Sequence, residues 1–335
     1  MSRRRSIVAL AIVALLLPAI GARDASTQER ISIATGGTGG VYFPYGGALA
    51  NLISEYVDDV EVTAEVTSAS VDNMLLVDSQ DAELAFVLGD TAYDALQGND
   101  PFAEAIPAQA LAVLYDNFTH IVTTDDSGVN TVADLRGKTV STGAAGSGTE
   151  VIADRILEAA GLNPDADIER AQLGASESAA AIKDGNIDAY FWSGGLPTAS
   201  VTDLGATPNV GLKLLSNAEF VGQLQATYGA FYGTKAIPGG TYPGQDEALD
   251  VIVVPNLLVV HQDFDEALAH DILAAMFEHR DDLIAAHPAA QDLTLENAVT
   301  NSPIPFHPGA LRYFAEQGVA PGATPAASPA ATPSA

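Results

Sequence analysis

Three times along the chain a short β-branched run passes through a glycine-rich loop into a helix pattern. The loops are GGTGG (36–40), GAAGSGTE (143–150) and WSGGLPT (192–198). Repeated strand–loop–helix units predict an α/β fold with a mainly parallel sheet. Glycine frees the backbone where each helix begins, and the first turn of a helix carries unpaired N–H groups and a partial positive charge. Such ends bind carboxylate or phosphate without Lys or Arg. In open α/β sheets ligands sit beyond the carboxyl ends of the strands. A single glycine-rich loop is ordinarily only a turn; three at equivalent junctions predict one anion pocket. No Lys follows any of them, as a P-loop requires, and Gly37-Thr38-Gly39-Gly40 lacks the dinucleotide spacing. No cofactor is expected.

Between the loops the pattern alternates strands and helices. VEVTAEVT (60–67), ALAVLYDN, FTHIVTTDDSG, KTVST and IDAYFW read as separate strands, and LDVIVVPNLLVVHQ as a strand pair or one long broken strand. ASVDNMLLVDSQDA and EALAHDILAAMFEHRDDLIAAH read as helices. Two α/β lobes are expected, with a crossover near 114–122 and a return near 250–260.

Other chemistry has little support. The six histidines are scattered, cysteine is absent, and no zinc-type spacing occurs, so no metal is expected. Ser147 lacks the G-x-S-x-G elbow and reads better as a hydroxyl donor at a helix N-terminus; a secreted hydrolase built on it remains the rival reading. Tyr42 and Trp192 flank the loops and can wall a small pocket. The chain carries 14 Lys+Arg against 43 Asp+Glu, net −29. A surface so acidic repels phosphate backbones, which argues against nucleic acid. Arg3–Arg5, the apolar run 7–17 and Ala19-Ile20-Gly21 read as a signal peptide over about residues 1–25. The protein is therefore expected in the periplasm or otherwise outside the cytoplasm. The Pro/Ala/Thr-rich end, 321–335, reads as a disordered tail.

Five segments, in order, resemble the TAXI-type solute receptors, the extracytoplasmic substrate-binding subunits of TRAP transporters: IATGGTGGVYFPYGGALANLI, DLRGKTVSTGAAGSGTEVIADRILEAAGL, DAYFWSGGLPTASVTDL, IPGGTYPGQDEALDVIVVPNLLVV and LTLENAV with SPIPFHPGALRYFAEQGV. The resemblance runs from about Ile31 to Val319. It implies a type II periplasmic-binding-protein fold with lobes at 30–115 plus 256–320 and at 116–255, joined by a hinge around a ligand cleft. It also implies a non-catalytic monomer that binds a small carboxylate or amino acid, glutamate-like or 2-oxo-acid-like, and hands it to TRAP membrane subunits. A sensor role beside a membrane receptor would use the same fold. Gly37, Thr38, Gly39, Gly40 and Tyr42 match the family's first ligand loop, Ser147, Gly148 and Thr149 the second, and Ser193, Gly194 and Gly195, beside Trp192, the third. Asp90 joins this set, although VLGD places Leu88 and Gly89 where similar proteins usually carry Gln before Ser-Asp. Thr123 and Thr124 stand where such proteins often carry Arg. The two departures favour a smaller or less polar acid than glutamate.

Overall fold

The computed structural model describes residues 28–322. The expected signal peptide, and the expected tail beyond residue 322, lie outside the described residues. The first half builds β1 (Glu29–Ala34), α1 (Tyr42–Tyr56), β2 (Val60–Glu65), α2 (Ser70–Ser79), β3 (Leu84–Leu88) and α3 (Gly89–Gln97). There follow β4 (Ala108–Thr124), β5 (Thr139–Ser141), α4 (Gly148–Ala159), β6 (Glu169–Ala171), α5 (Ala175–Lys183), β7 (Ala189–Gly194) and α6 (Ala199–Gly205). β8 (Leu212–Leu215), β9 (Gly233–Ile237) and β10 (Leu249–His261) complete the strands, and helices at Glu266–Glu278 and Pro308–Glu316 return to the first half.

One ten-stranded sheet runs β2-β1-β3-β10-β4-β7-β5-β6, with β8 on β4 and β9 on β10. The sheet is mixed, which corrects the expectation of a mainly parallel one. β1–β2, β1–β3, β5–β6 and β5–β7 are parallel, but every strand of the sheet paired with β4 or β10 is antiparallel to it. The reason is the length of those two strands. β4 has 17 residues and β10 has 13, so each serves both halves of the molecule; at about 3.3 Å per residue β4 alone spans about 56 Å. ALAVLYDN and FTHIVTTDDSG are thus one strand. LDVIVVPNLLVVHQ is also one strand, with a register shift at Asn256/Leu257 beside Pro255, which has no N–H to give the ladder.

Burial divides the molecule into two lobes around these strands. One apolar cluster draws on residues 31–115 and 257–314, and two others on residues 88–254. On α1, Tyr45, Leu49 and Ile53 recur every fourth residue and are all fully buried, the spacing that turns one helix face to a core. Each contributes about 1.5–3 kcal/mol by leaving water. On α4, Ile152 and Ile156 do the same for the second lobe. Both helices are thereby fixed with their N-termini toward the gap between the lobes.

Candidate functional site

A cavity of ≈ 330 Å³ lies in that gap, at the small end of ligand sites. Its walls are the segments that leave the carboxyl ends of the strands. Gly36–Tyr42 follows β1, Val66–Ser70 follows β2 and Leu88 ends β3; Ala144 and Ser147–Thr149 follow β5, Gly174–Glu177 follows β6, and Trp192–Gly194 ends β7. Helices α1, α2, α4 and α5 begin at this cavity, at Tyr42, Ser70, Gly148 and Ala175. Two first-turn amides of α2, those of Val71 and Asp72, donate across the gap to the Gly146 carbonyl, each at 3.2 Å. The first turns of α1 and α5, and the Gly148 and Thr149 amides of α4, keep the unpaired donors that helix geometry imposes.

Side-chain hydroxyls add to this supply. Ser147 Oγ accepts from the Glu150 amide at 3.1 Å and so caps α4. Thr149 Oγ1 accepts from the Ser193 amide at 3.2 Å, and Ser70 Oγ from the Leu88 amide at 3.0 Å. Tyr42 Oη accepts from Asn256 Nδ2 at 2.7 Å, which ties the cavity wall to the bulge in β10. For Ser147 and Thr149 the oxygen takes an internal donor and the hydroxyl retains a proton to give. No Lys, Arg or His lines the cavity, and Glu177 is the sole acidic residue among its walls. The site therefore offers hydrogen-bond donors and helix-end charge to an anion, with apolar faces from Val41, Leu88, Tyr42 and Trp192.

Trp192 is held by a buried chain of bonds. His120 Nδ1 lies 2.8 Å from the Phe118 carbonyl, so it carries the proton, and Nε2 accepts from the Tyr242 hydroxyl at 2.9 Å. Tyr242 accepts from the Thr198 amide at 3.1 Å, and Thr198 Oγ1 accepts from the Trp192 indole at 2.9 Å. Burial pushes the His120 imidazole down to about 4, only partly offset by the Phe118 and Trp192 carbonyls. A folded-state value below the unfolded ~6.5 means that stability is present above pH ~6.5 and is lost as pH falls toward 4. The loss is roughly 3 kcal/mol. Urea melts of wild type and His120→Gln across this range are expected to show the wild type losing that much more than the variant. Parallel pH profiles would contradict this reading of His120.

Glycines set how closely the lobes approach. A Cβ on Gly40 would lie 2.7 Å from the Trp192 ring, and one on Gly148 would lie 2.5 Å from Leu88 and 2.8 Å from Ser70. A Cβ on Gly39 would overlap the Ser176 hydroxyl. Each pair spans the two lobes, so the arrangement is a closed one. Ala69, on the cavity wall, has φ 83, a strained value of the kind that clusters at ligand sites.

The NMT1-like family model matches residues 33–318. This chain belongs to the NMT1-like family. Among solved structures, a protein of Bordetella bronchiseptica RB50 is similar at 16% identity and TM-score 0.52, covering 86% of this chain and 89% of that one. The alkanesulfonate-binding protein SsuA from Xanthomonas axonopodis pv. citri, bound to MOPS, is similar at 17% identity and TM-score 0.47, covering 85% and 83%. PhnD1 from Prochlorococcus marinus (MIT 9301), in complex with methylphosphonate, is similar at 12% identity and TM-score 0.47, covering 74% and 84%. At 16% identity the likeness to the Bordetella protein is one of fold.

In this NMT1-like protein Gly37, Thr38, Gly39, Gly40, Tyr42, Ser147, Gly148, Thr149, Trp192, Ser193 and Gly194 all line the one cavity. Two residues of the expected set do not. Gly195 packs against the Tyr115 ring, where a Cβ would sit 3.0 Å away. Asp90 is 0% exposed, with Oδ1 taken by the Thr91 amide and Oδ2 by the Tyr232 hydroxyl, both at 2.8 Å; its carboxylate faces into α3–α4 packing. Thr123 bears on no ligand either, since it pairs with Ala189 at the end of β7 away from Trp192–Gly194 and bonds the Asp188 carbonyl. Two wall segments escaped the sequence reading. Gly174–Glu177 was legible as a fourth glycine before a helix, whereas Val66–Ser70 has no glycine and gave no signal. Among the described residues no cluster of three or more His, Asp or Glu is placed to hold a metal, and no helix is long and apolar enough to cross a membrane.

Proposed function

We propose that this protein is an extracytoplasmic solute-binding protein that captures a small carboxylate or amino acid by closure of its lobes and delivers it to a TRAP-type membrane transporter, without catalysis. The observation that carries the reading is the cavity between the lobes, ringed by helix N-termini and proton-donating hydroxyls and lacking any cation. The ligand's anionic group is placed at Thr38–Gly40 and Ser147–Thr149, with Tyr42 and Trp192 as walls. Closure is argued from the lobe-to-lobe contacts at Gly40, Gly146 and Gly148, an equilibrium that a ligand touching both lobes shifts. The Ser147 hydroxyl is taken up in capping α4 and no histidine lines the cavity, which weighs against a hydrolase.

Calorimetry tests the second loop. For the acid that gives the largest thermal shift, Ser147→Ala plus Thr149→Ala is expected to weaken binding at least tenfold, about 1.4 kcal/mol; unchanged affinity would remove that loop from the site. Uptake into vesicles bearing the membrane subunits is expected to follow an imposed ion gradient without ATP, and an ATP requirement would overturn the TRAP assignment.

A further inference from the structure

We propose that Glu150 is a positioning residue for the solute site: braced by Arg170, it sets the loop 143–147 so that the Gly146 carbonyl fastens onto the N-terminus of α2 in the opposite lobe. This rests on the reading of the cavity as one that holds its solute by closure. Glu150 is the third residue of α4 and does not line the cavity. Its amide donates to Ser147 Oγ, and its Oε2 accepts from the Gly146 amide at 3.0 Å. This is a capping box whose acidic arm reaches one residue further back than usual. Oε1 accepts from Arg170 Nη2 at 2.8 Å and from Gln172 Nε2. Arg170, on β6, also reaches Asp154 Oδ2 of α4 at 2.9 Å. The Glu150 and Arg170 side chains are 18% and 19% exposed, so their charge-assisted bond is shielded from most of the solvent. Bonds of this kind are about twice as strong as neutral ones.

The consequence lies across the gap. Gly146 has φ 78, and a Cβ there would lie 3.3 Å from Asp72 Oδ1 of the first lobe. Its carbonyl accepts from the Val71 and Asp72 amides, two of the donors that open α2, so the negative end of a peptide dipole meets the positive end of a helix. A chain of bonds thus runs from Arg170 on the edge strand β6, through Glu150 and Gly146, into the first lobe. Its last link exists only with the lobes together. The residues that follow Gly146 are Ser147, Gly148 and Thr149 of the cavity wall. Removing the Glu150 carboxylate takes away the acceptor of the Gly146 amide and lets the loop turn its carbonyl from α2.

The test pairs titration with a measurement of lobe separation. The probes are L-alanine, L-leucine and L-glutamate with their matched 2-oxo acids. The chain has no cysteine, so Asp78→Cys on α2 and Asp184→Cys at the end of α5, both exposed, take spin labels on one lobe each. Glu150→Ala is expected to weaken binding of the tightest probe about tenfold, chiefly through faster dissociation, and to move the label distances toward the open form. Glu150→Gln keeps an oxygen for the Gly146 amide and is expected to stay within about threefold of wild type. Asp154→Asn alters the other partner of Arg170 without touching the loop, and its melting temperature and affinity calibrate what loss of stability alone does to binding. The inference is overturned if Glu150→Ala binds as wild type does, if its loss follows melting temperature as in Asp154→Asn, or if Glu150→Gln fails equally. A panel in which no probe binds would overturn the carboxylate reading instead. The label distances of the free proteins would then decide the role of Glu150, and equal distributions in wild type and Glu150→Ala would refute it.

Discussion

Arg155→Ala is expected to lower the stability of this protein by about 3–5 kcal/mol, the cost of breaking a buried ion pair by removing one partner. Arg155, on α4, is 8% exposed. One guanidinium nitrogen meets Asp94 Oδ2 at 2.5 Å; the other meets the Tyr232 hydroxyl at 2.8 Å and lies 3.8 Å from Asp90 Oδ2. The group also stacks 4.0 Å over the Tyr228 ring. Asp90 and Asp94 belong to α3 and Arg155 to α4, so the cluster joins the two lobes beside the cavity. Burial raises both carboxyls, Asp94 to about 6, against the pull of Arg155. Without the guanidinium both would rise further. An acid whose folded-state value is raised contributes stability below its unfolded value, ~4, and loses it as pH climbs through the folded one. The Arg155→Ala deficit should therefore be largest near pH 7.5 and shrink toward pH 5, and adding Asp90→Asn and Asp94→Asn should recover much of it. Urea denaturation at the two pH values reads this directly. A cost under about 1 kcal/mol at pH 7.5 would mean that the cluster is solvated like a surface pair.

Gly40→Ala is expected to weaken ligand binding by about 5- to 150-fold while leaving the melting temperature of the free protein nearly unchanged. The added methyl would meet the Trp192 ring at 2.7–2.8 Å, and the ring can withdraw only by giving up its bond to Thr198. Overpacking of this kind costs about 1–3 kcal/mol, which equals that range of affinity. The clash exists only where the first lobe touches the second, so it burdens the closed, ligand-holding form and spares the open one. Calorimetry beside a thermal melt separates the two. An unchanged affinity would show that closure does not bring Gly40 to Trp192, whereas equal losses in affinity and melting temperature would mark a folding defect.

The positions of these residues show which parts of the fold and site the sequence disclosed. Glycine at a strand–helix junction is a local signal with a local cause, and Gly37–Gly40, Ser147–Thr149 and Trp192–Gly194 could be placed at one hollow because α/β topology brings strand ends together. Strand length is a different matter. Nothing local separates two short strands from one that crosses both lobes, so the sequence reads β4 as two strands and leaves β10 open between a pair and one long broken strand, and the antiparallel centre of the sheet is not legible. Asp90 entered the expected set only through the resemblance; its distant partners Arg155 and Tyr232 reveal an inward-facing ion pair. Glu177 passed unnoticed within a helix pattern, since its approach to the cavity depends on where β6 ends and not on its neighbours in the chain.

The central claim is that one small carboxylate-bearing solute sits between the lobes on neutral donors. Isothermal titration of the purified protein against the matched amino acids and acids tests it most directly. The account predicts saturable 1:1 binding of at least one of them, weakened at least tenfold by Ser147→Ala plus Thr149→Ala. A protein that binds none of them, or whose binding is indifferent to that pair of changes, would contradict it.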